Sequence, residues 1–352
     1  MPLLAPSGSC PIPPAGSHSL LGVTALAQPN NPNDFLRIAL VNNMPDAALE
    51  DTELQFFELL SAAAGDLPLQ VELFSLPGIP RGEHARQHLN QYYQCTTALL
   101  NQSVDGVIIT GTEPRQPELR YEPYWGSLTD LFSWAEENTS SAVLSCLAAH
   151  AGVLQSDGIR RHPLAEKRFG VFEHEIVSNH PLTGGLIRPV RNPHSRWNEL
   201  CRRDLESAGY TVLTESPRAG VDFFVKEKKK SLFVHFQGHP EYVSLTLHKE
   251  YRRDVKRYLR RERENYPLVP EGYFDEDSVR LLHEFQEKAE GQRSESAMES
   301  FPEDKIVETL QHTWRPVAAR IYQNWLSYLL ARKARSLPSS YGFRWTGVGP
   351  SA

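Results

Sequence analysis

The chemistry of this chain starts at a cysteine placed between two apolar runs. In Leu144-Ser145-Cys146-Leu147-Ala148 a buried-strand pattern over residues 142–145 gives way to a helical pattern over 147–154. The thiol therefore falls on a tight strand-to-helix turn, with its side chain at the sheet's edge. The helix N-terminus aims N–H groups and partial positive charge at that point, which favours a thiolate and stabilises an oxyanion. A buried, inert Cys is the commoner state of any single cysteine, so position alone leaves both readings open. A second candidate is Gly238-His239-Pro240-Glu241, directly after an apolar run ending near Phe236. His and Glu two residues apart at a strand end can face one cleft, the carboxylate fixing the imidazole's tautomer while the other nitrogen faces a nucleophile. His235 and His239 are also four apart, but the strand context and Gly238 forbid a zinc-binding helix face, so no metal is expected there. Gly111, after the run VIIT, would let a backbone N–H approach a substrate closely; an ordinary strand-to-loop turn explains it equally well.

These residues need elements to hold them. Residues 36–42 (LRIALVN), 69–76, 107–110 and 142–145 read as strands buried on both faces. Between them, helical spacing is expected from Asp46 onward, over 83–100 and over 124–138. Strands alternating with helices imply right-handed crossovers and a mostly parallel central sheet flanked by helices, with ligands at the carboxyl ends of the strands. Residues 171–177, 210–215, 221–226 and 231–236 are strand-like with short connections, and read as an antiparallel extension of that sheet. A strongly charged helix is expected over 245–263 and a last helix over 316–332. The domain reading is a flexible segment at 1–33, one catalytic domain at 34–335 with an exposed charged insertion at 275–305, and a flexible tail at 336–352.

The whole chain has 352 residues, 40% of them hydrophobic and 23% charged, ordinary for a globular protein. Its net charge of −6 argues against a dedicated nucleic-acid binder. The basic positions of residues 249–263 form mostly a solvated helix face opposite Leu247, Tyr251, Val255 and Tyr258. No apolar run reaches the roughly 18 residues of a membrane helix, and no Lys or Arg precedes Arg37, so neither a membrane span nor a basic secretory signal is expected. Four widely spaced cysteines without a CxxC suit a reduced, cytoplasmic setting.

With Cys146, GHPEY and Asn192-Pro193-His194-Ser195-Arg196 in view, the chain resembles the homoserine O-succinyltransferase family, whose fold is that of the class I glutamine amidotransferase-like (flavodoxin-like) superfamily. The likeness runs from about Leu36 to about Lys333. It includes NNMPDAALEDTELQF, Pro163-Leu164-Ala165-Glu166-Lys167, Gly170-Val171-Phe172-Glu173-His174, Glu250-Tyr251-Arg252-Arg253-Asp254, HTWR and NWL. It implies a catalytic set of Cys146, His239 and Glu241. The cysteine would take an acyl group from acyl-CoA and pass it to the side-chain hydroxyl of homoserine, with Leu147 and a residue near Gly111 supplying oxyanion N–H groups. It further implies that Lys167, Ser195 and Arg253 line the amino-acid site, Arg253 clamping the α-carboxylate. Its spacing sets Arg253 opposite the helix's apolar stripe, so this role requires the helix's other side to face the cleft. No cofactor or metal is implied beyond acyl-CoA as co-substrate, and a homodimer stays open as the assembly.

The chain departs from the family where lysines usually follow the first Met-Pro (here Asp46 and Ala47), and at Leu147 and His150 after the nucleophile. In the family a residue in the loop beyond Gly111 helps select the acyl group, and by counting Arg115 takes that place. A cation there would favour succinyl, whose free carboxylate it could pair, although Glu113 nearby could neutralise it. Acetyl-CoA as donor and serine as acceptor therefore stay open. A glutamine amidohydrolase shares the Cys-His-Glu logic but normally carries small residues on both sides of its nucleophile, unlike Leu144 here. A non-catalytic homologue is the remaining alternative, opposed by the retention of all three catalytic residue types.

Overall fold

The structure is a computed structural model that describes residues 3–4 and 35–336. The lead-in expected over 1–33, apart from Leu3 and Leu4, and the tail expected over 336–352, apart from Ser336, lie outside the described residues.

Five strands form the parallel half of the sheet: β1 (Leu36–Val41), β2 (Leu69–Ser75), β3 (Gly106–Ile109), β4 (Ser141–Ser145) and, later in the chain, a strand over Ser231–Phe236. Between β4 and that strand come β5 (His162–Ile176), β6 (Val190–Glu199), β7 (Thr211–Ser216) and β8 (Gly220–Lys228), which makes Ser231–Phe236 β9. The spatial order is β2-β1-β3-β4-β9-β8-β7-β5-β6, parallel as far as β9 and antiparallel beyond it. The residue pair Leu3–Leu4 runs along the outer side of β2. The expected parallel sheet with an antiparallel extension is thus the architecture found.

Alternation explains the layering. Leu36, Ile38 and Leu40 of β1 face one core, built with α1 (Asp46–Ala64) and the last long helix (Arg315–Ser336); Ala39 and Val41 face the other, built with the helices Trp125–Asn138 and Leu147–Asp157. A strand apolar on both faces fits only between two helical layers. In chain order the remaining named helices are α2 (Glu83–Tyr92), α3 (Trp125–Asn138), α4 (Leu147–Asp157), α5 (Thr246–Leu259), α6 (Glu276–Gly291) and α7 (Arg315–Ser336). No described helix is long and apolar enough to cross a membrane.

Three expectations change. The single helix expected over 83–100 stops at Tyr92, because Gln94 and Cys95 pair with the end of β2 before a short helical turn resumes. Residues 275–305, expected as an exposed insertion, instead contain α6. Its Leu282, Phe285 and Ala289 are buried with Tyr251 and Val255 of α5. The charged residues that dominate the composition there occupy only the outer face. Pro193 hides β6 from a strand pattern in the sequence; it survives as the last strand of the sheet, where proline is tolerated.

Candidate active site

Strands β4 and β9 lie side by side and parallel, with Ser145 opposite Phe236. Their carboxyl ends therefore deliver Cys146 and the Gly238-His239 turn to the same rim. The Cys146 N–H donates to the Phe236 carbonyl at 2.8 Å, tying the turn of Cys146 to the strand that leads into His239. Cys146 adopts φ 51° and ψ −110°, positive-φ backbone that a non-glycine residue holds at a cost of about 1–3 kcal/mol. That strain aims a half-buried thiol out of the start of α4.

His239 is 5% exposed. Its Nδ1 lies 2.8 Å from Glu241 Oε1, leaving the other ring nitrogen for Cys146, with which the ring interacts electrostatically. Burial alone would lower the imidazole's pKa. The neighbouring Cys146 and Glu241 outweigh burial and hold His239 well above its ordinary range. Ser145 donates a longer bond to the same Glu241 oxygen at 3.3 Å. The nucleophile, base and orienting carboxylate inferred from sequence are therefore one connected set.

Gly111 also meets this set. A side-chain carbon added at Gly111 would lie 2.9 Å from the backbone nitrogen and from Cβ of Leu147. Only glycine permits that approach. It holds the end of β3 against the first N–H of α4, which has no carbonyl four residues back to bond. Asn43, buried at the end of β1, fastens the same rim by donating to the Thr110 carbonyl and accepting from the Leu76 N–H. Arg115 stands exposed on the loop beyond Gly111, where its backbone N–H and that of Gln116 donate to buried Glu122.

Lys167, Ser195 and Arg253, far apart in sequence, converge on Glu250. Lys167 Nζ lies 3.2 Å from Glu250 and 3.4 Å from Asp254; Ser195 donates to Glu250; Arg253 makes two 3.1 Å bonds to Asp254 and stands 3.7 Å from Glu250. Burial would raise the Glu250 pKa, but Lys167, Ser195 and Tyr242 more than offset it and keep the group below the usual carboxylate range. Helix α5 thus has two packed edges: the apolar stripe, and a polar edge of Glu250 and Asp254 one turn apart that meets Lys167 of β5 and Ser195 of β6. Arg253 itself is exposed and touches that edge only through Asp254 and Glu250.

Tyr242 joins the two sets. Its ring stacks on His239 at 4.2 Å between centroids, and its hydroxyl donates to Glu250 at 2.7 Å. Its carbonyl in turn accepts from His312 and Trp314 of the HTWR segment. Sequence reasoning passed over Glu250, Asp254 and Tyr242 individually, although each lies inside a quoted motif. It also passed over Arg161, whose half-buried guanidinium interacts electrostatically with Cys146 and Tyr124. At the departures, Asp46 accepts from the Gly82 N–H and from Arg81. His150 bonds Gln237, the residue before Gly238, and burial pushes its pKa down to about 3.

A family model described as homoserine O-succinyltransferase matches residues 23–336. The chain belongs to the homoserine O-succinyltransferase family. It is similar to the homoserine O-succinyltransferase of Methylorubrum extorquens, 40% identical over 91% of this chain and 95% of that protein. To that of Rhodopseudomonas palustris it is 42% identical, over 83% of this chain and 87% of the relative. Membership makes the chain an enzyme of the transferase class. A solved glutamine amidotransferase from Methylobacillus flagellatus aligns with 84% of this chain and 95% of its own at 11% identity and a TM-score of 0.46, a likeness too distant to add to what the sheet order shows.

Proposed function

We propose that this chain transfers an acyl group, succinyl by preference, from acyl-CoA to the hydroxyl of L-homoserine through an acyl-enzyme on Cys146, as a cytoplasmic step of methionine biosynthesis. The single observation that carries this reading is Tyr242, which stacks on the His239 of the Cys-His-Glu set and bonds the Glu250 of the Lys167/Ser195/Arg253 set. One set suits acyl transfer. The other presents two cations and two carboxylates within one small cluster, a charge pattern complementary to an amino acid's carboxylate and ammonium. The free thiols of Cys95, Cys146 and Cys201 suit a reducing compartment.

The chemistry proceeds in two steps. Cys146 thiolate attacks the thioester carbonyl; negative charge collects on the carbonyl oxygen beside the Leu147 N–H and the Gly111 backbone; the carbon–sulfur bond to CoA breaks. The departing CoA thiolate takes the proton of the His239 imidazolium. Acylation has by then removed the thiolate charge that kept His239 protonated, so the neutral ring can act as a base. It accepts the proton of the homoserine hydroxyl as that oxygen attacks the acyl carbon, and Cys146 leaves as thiolate beside the restored imidazolium. Arg253 would hold the α-carboxylate, with Lys167 and Ser195 lining the same site. Arg115, exposed on its loop, would pair the far carboxylate of a succinyl group.

Offering homoserine and serine, each with succinyl-CoA and acetyl-CoA, and reading products by mass spectrometry tests this reading. O-succinylhomoserine is the expected major product, and succinyl-CoA alone should leave a succinyl adduct on the Cys146 peptide that homoserine discharges. A dominant acetyl or seryl product would correct the substrates. Glutamine hydrolysis with no consumption of acyl-CoA would replace the reading altogether.

A further inference from the structure

Behind the catalytic turn lies a second buried polar cluster that the reaction scheme does not use: His174 on β5, Asn192 and His194 on β6, and Asp222 on β8. His194 Nε2 stands 3.1 Å from His174 Nε2 and 3.6 Å from Asp222 Oδ1. Those spacings resemble the roughly 3.3 Å between ligands on a tetrahedral dication with bonds of about 2.0 Å. The proton positions exclude that use. Arg196 Nε lies 3.2 Å from His194 Nδ1, and a guanidinium can only donate, so Nδ1 is an acceptor and the neutral ring carries its proton on Nε2. A metal on Nε2 would need the reverse, with Nδ1 protonated and donating outward. Burial, followed by the Arg196 charge, also keeps His194 well below its ordinary range and hence neutral. The direction is set from Arg196 to His194 to His174, and both carboxylate oxygens of Asp222 are left for other donors.

Those donors belong to the catalytic turn and its support. Asp222 Oδ1 accepts the Gly238 N–H at 2.8 Å, its backbone carbonyl accepts the Gln237 N–H at 2.8 Å, and Oδ2 accepts from Asn192 at 2.8 Å. From the other side, the His239 N–H donates to the Pro193 carbonyl at 2.8 Å. Any side chain at Gly238 would fall 2.5 Å from Asn192, 2.7 Å from the Pro193 oxygen and 2.8 Å from Asp222, so glycine is what lets the clamp close. We infer that Asp222 is a positioning residue for this reaction. Through the Gly238 N–H it fixes where the His239 ring stands, and Asn192 and the Arg196-directed histidine pair keep its oxygens available for that bond. The inference rests on the reading of His239 as the catalytic base.

Three variants test it, with active sites counted by alkylation of Cys146. Asp222→Ala removes the acceptor from Gly238 and is expected to lower kcat about 10²-fold, the scale of a small misplacement of a catalytic group, with KM for homoserine within about twofold. Its Cys146 alkylation profile should lose its alkaline limb at lower pH, since a loosened His239 is held less firmly charged. Asn192→Asp sets two carboxylates face to face and should also lower kcat. Adding Asp222→Asn to it restores an amide–carboxylate pair and should return kcat to within about threefold. A purely structural cluster would lower the melting temperature while leaving kcat per titrated thiol and the alkylation profile unchanged, and that result overturns the inference. So does failure of the double variant to recover, or loss of activity on chelation that zinc restores. Should the wild-type protein transfer no acyl group, the function assigned above fails, while the alkylation profile, which needs no acyl donor, still decides the clamp.

Discussion

His235 and His239 come from the same strand end, four residues apart, and both are withdrawn from water. The His235 ring lies against those of Tyr210, Phe224 and Phe233. Its ring stacks on Phe224 at 4.6 Å, neither ring nitrogen has a hydrogen-bond partner among the described residues, and burial keeps its pKa well below the ordinary histidine range. His239 is flanked by Cys146, Glu241 and Tyr242, and its shift runs the opposite way. Burial is the largest single influence on each. What separates them is that His239 has Cys146 and Glu241 beside it, whereas the charged groups that act on His235 among the described residues are Lys228 and Lys226. The same low-dielectric surroundings that expel a lone proton strengthen an ion pair. A sheet edge built this way keeps one imidazole inert as packing and the other charged, and in the proposed scheme acylation of Cys146 would release that charge.

The largest test of that difference removes the thiolate. Cys146→Ala should abolish turnover, by roughly 10⁴-fold or more for loss of a nucleophile. It should also let the His239 pKa fall while His235 is unmoved, as read from histidine ring NMR. His239→Asn comes next, with kcat down about 10²- to 10⁴-fold on the usual scale of general acid–base catalysis. A turnover near wild type would place the base elsewhere. Glu241→Gln removes one of the two charges that raise the His239 pKa. The imidazolium should then be lost at lower pH, moving the alkaline limb of the Cys146 alkylation profile downward, with a kcat loss smaller than for His239→Asn. A limb that stays in place would show that Glu241 only orients the ring.

The smallest effect belongs to His235→Phe, which should leave kcat within about twofold. Its consequence is for stability. A histidine whose folded pKa is depressed binds a proton only when the chain unfolds. Below the unfolded value near pH 6.5 it costs the fold up to about 1.4 kcal/mol per pH unit, until the folded pKa is reached. Urea unfolding between about pH 5 and 7 should therefore show a shallower acid loss of stability in His235→Phe than in wild type. An unchanged slope would mean that His235 is already charged in the folded state.

How much of this was legible in the sequence depended on whether a signal was local. The strand–Cys–helix sequence at Cys146 and the strand–Gly-His-Pro-Glu sequence at His239 are local, and both were found where expected. Lys167, Ser195 and Arg253 carried no local signal and came only through the family resemblance. Glu250 and Asp254 looked like ordinary members of a charged helix. Nothing in the period of α5 distinguishes a polar edge facing solvent from one packed on other strands, because the difference is made by Ser195 on β6 and Lys167 on β5. Asp222 and Asn192 were hidden for the same reason, lying on antiparallel strands whose pairing alone brings them to Gly238. The break after Tyr92 shows a helical pattern overridden by strand pairing along β2.

The central claim is that two equally buried rings differ in charge because of their partners, and ¹⁵N NMR of the histidine rings near pH 7.5 tests it most directly. The account predicts an imidazolium at His239 that becomes neutral when Cys146 is acylated, beside a neutral His235 that does not change. A neutral His239 in the free enzyme, or a charge on it that survives acylation, would contradict it.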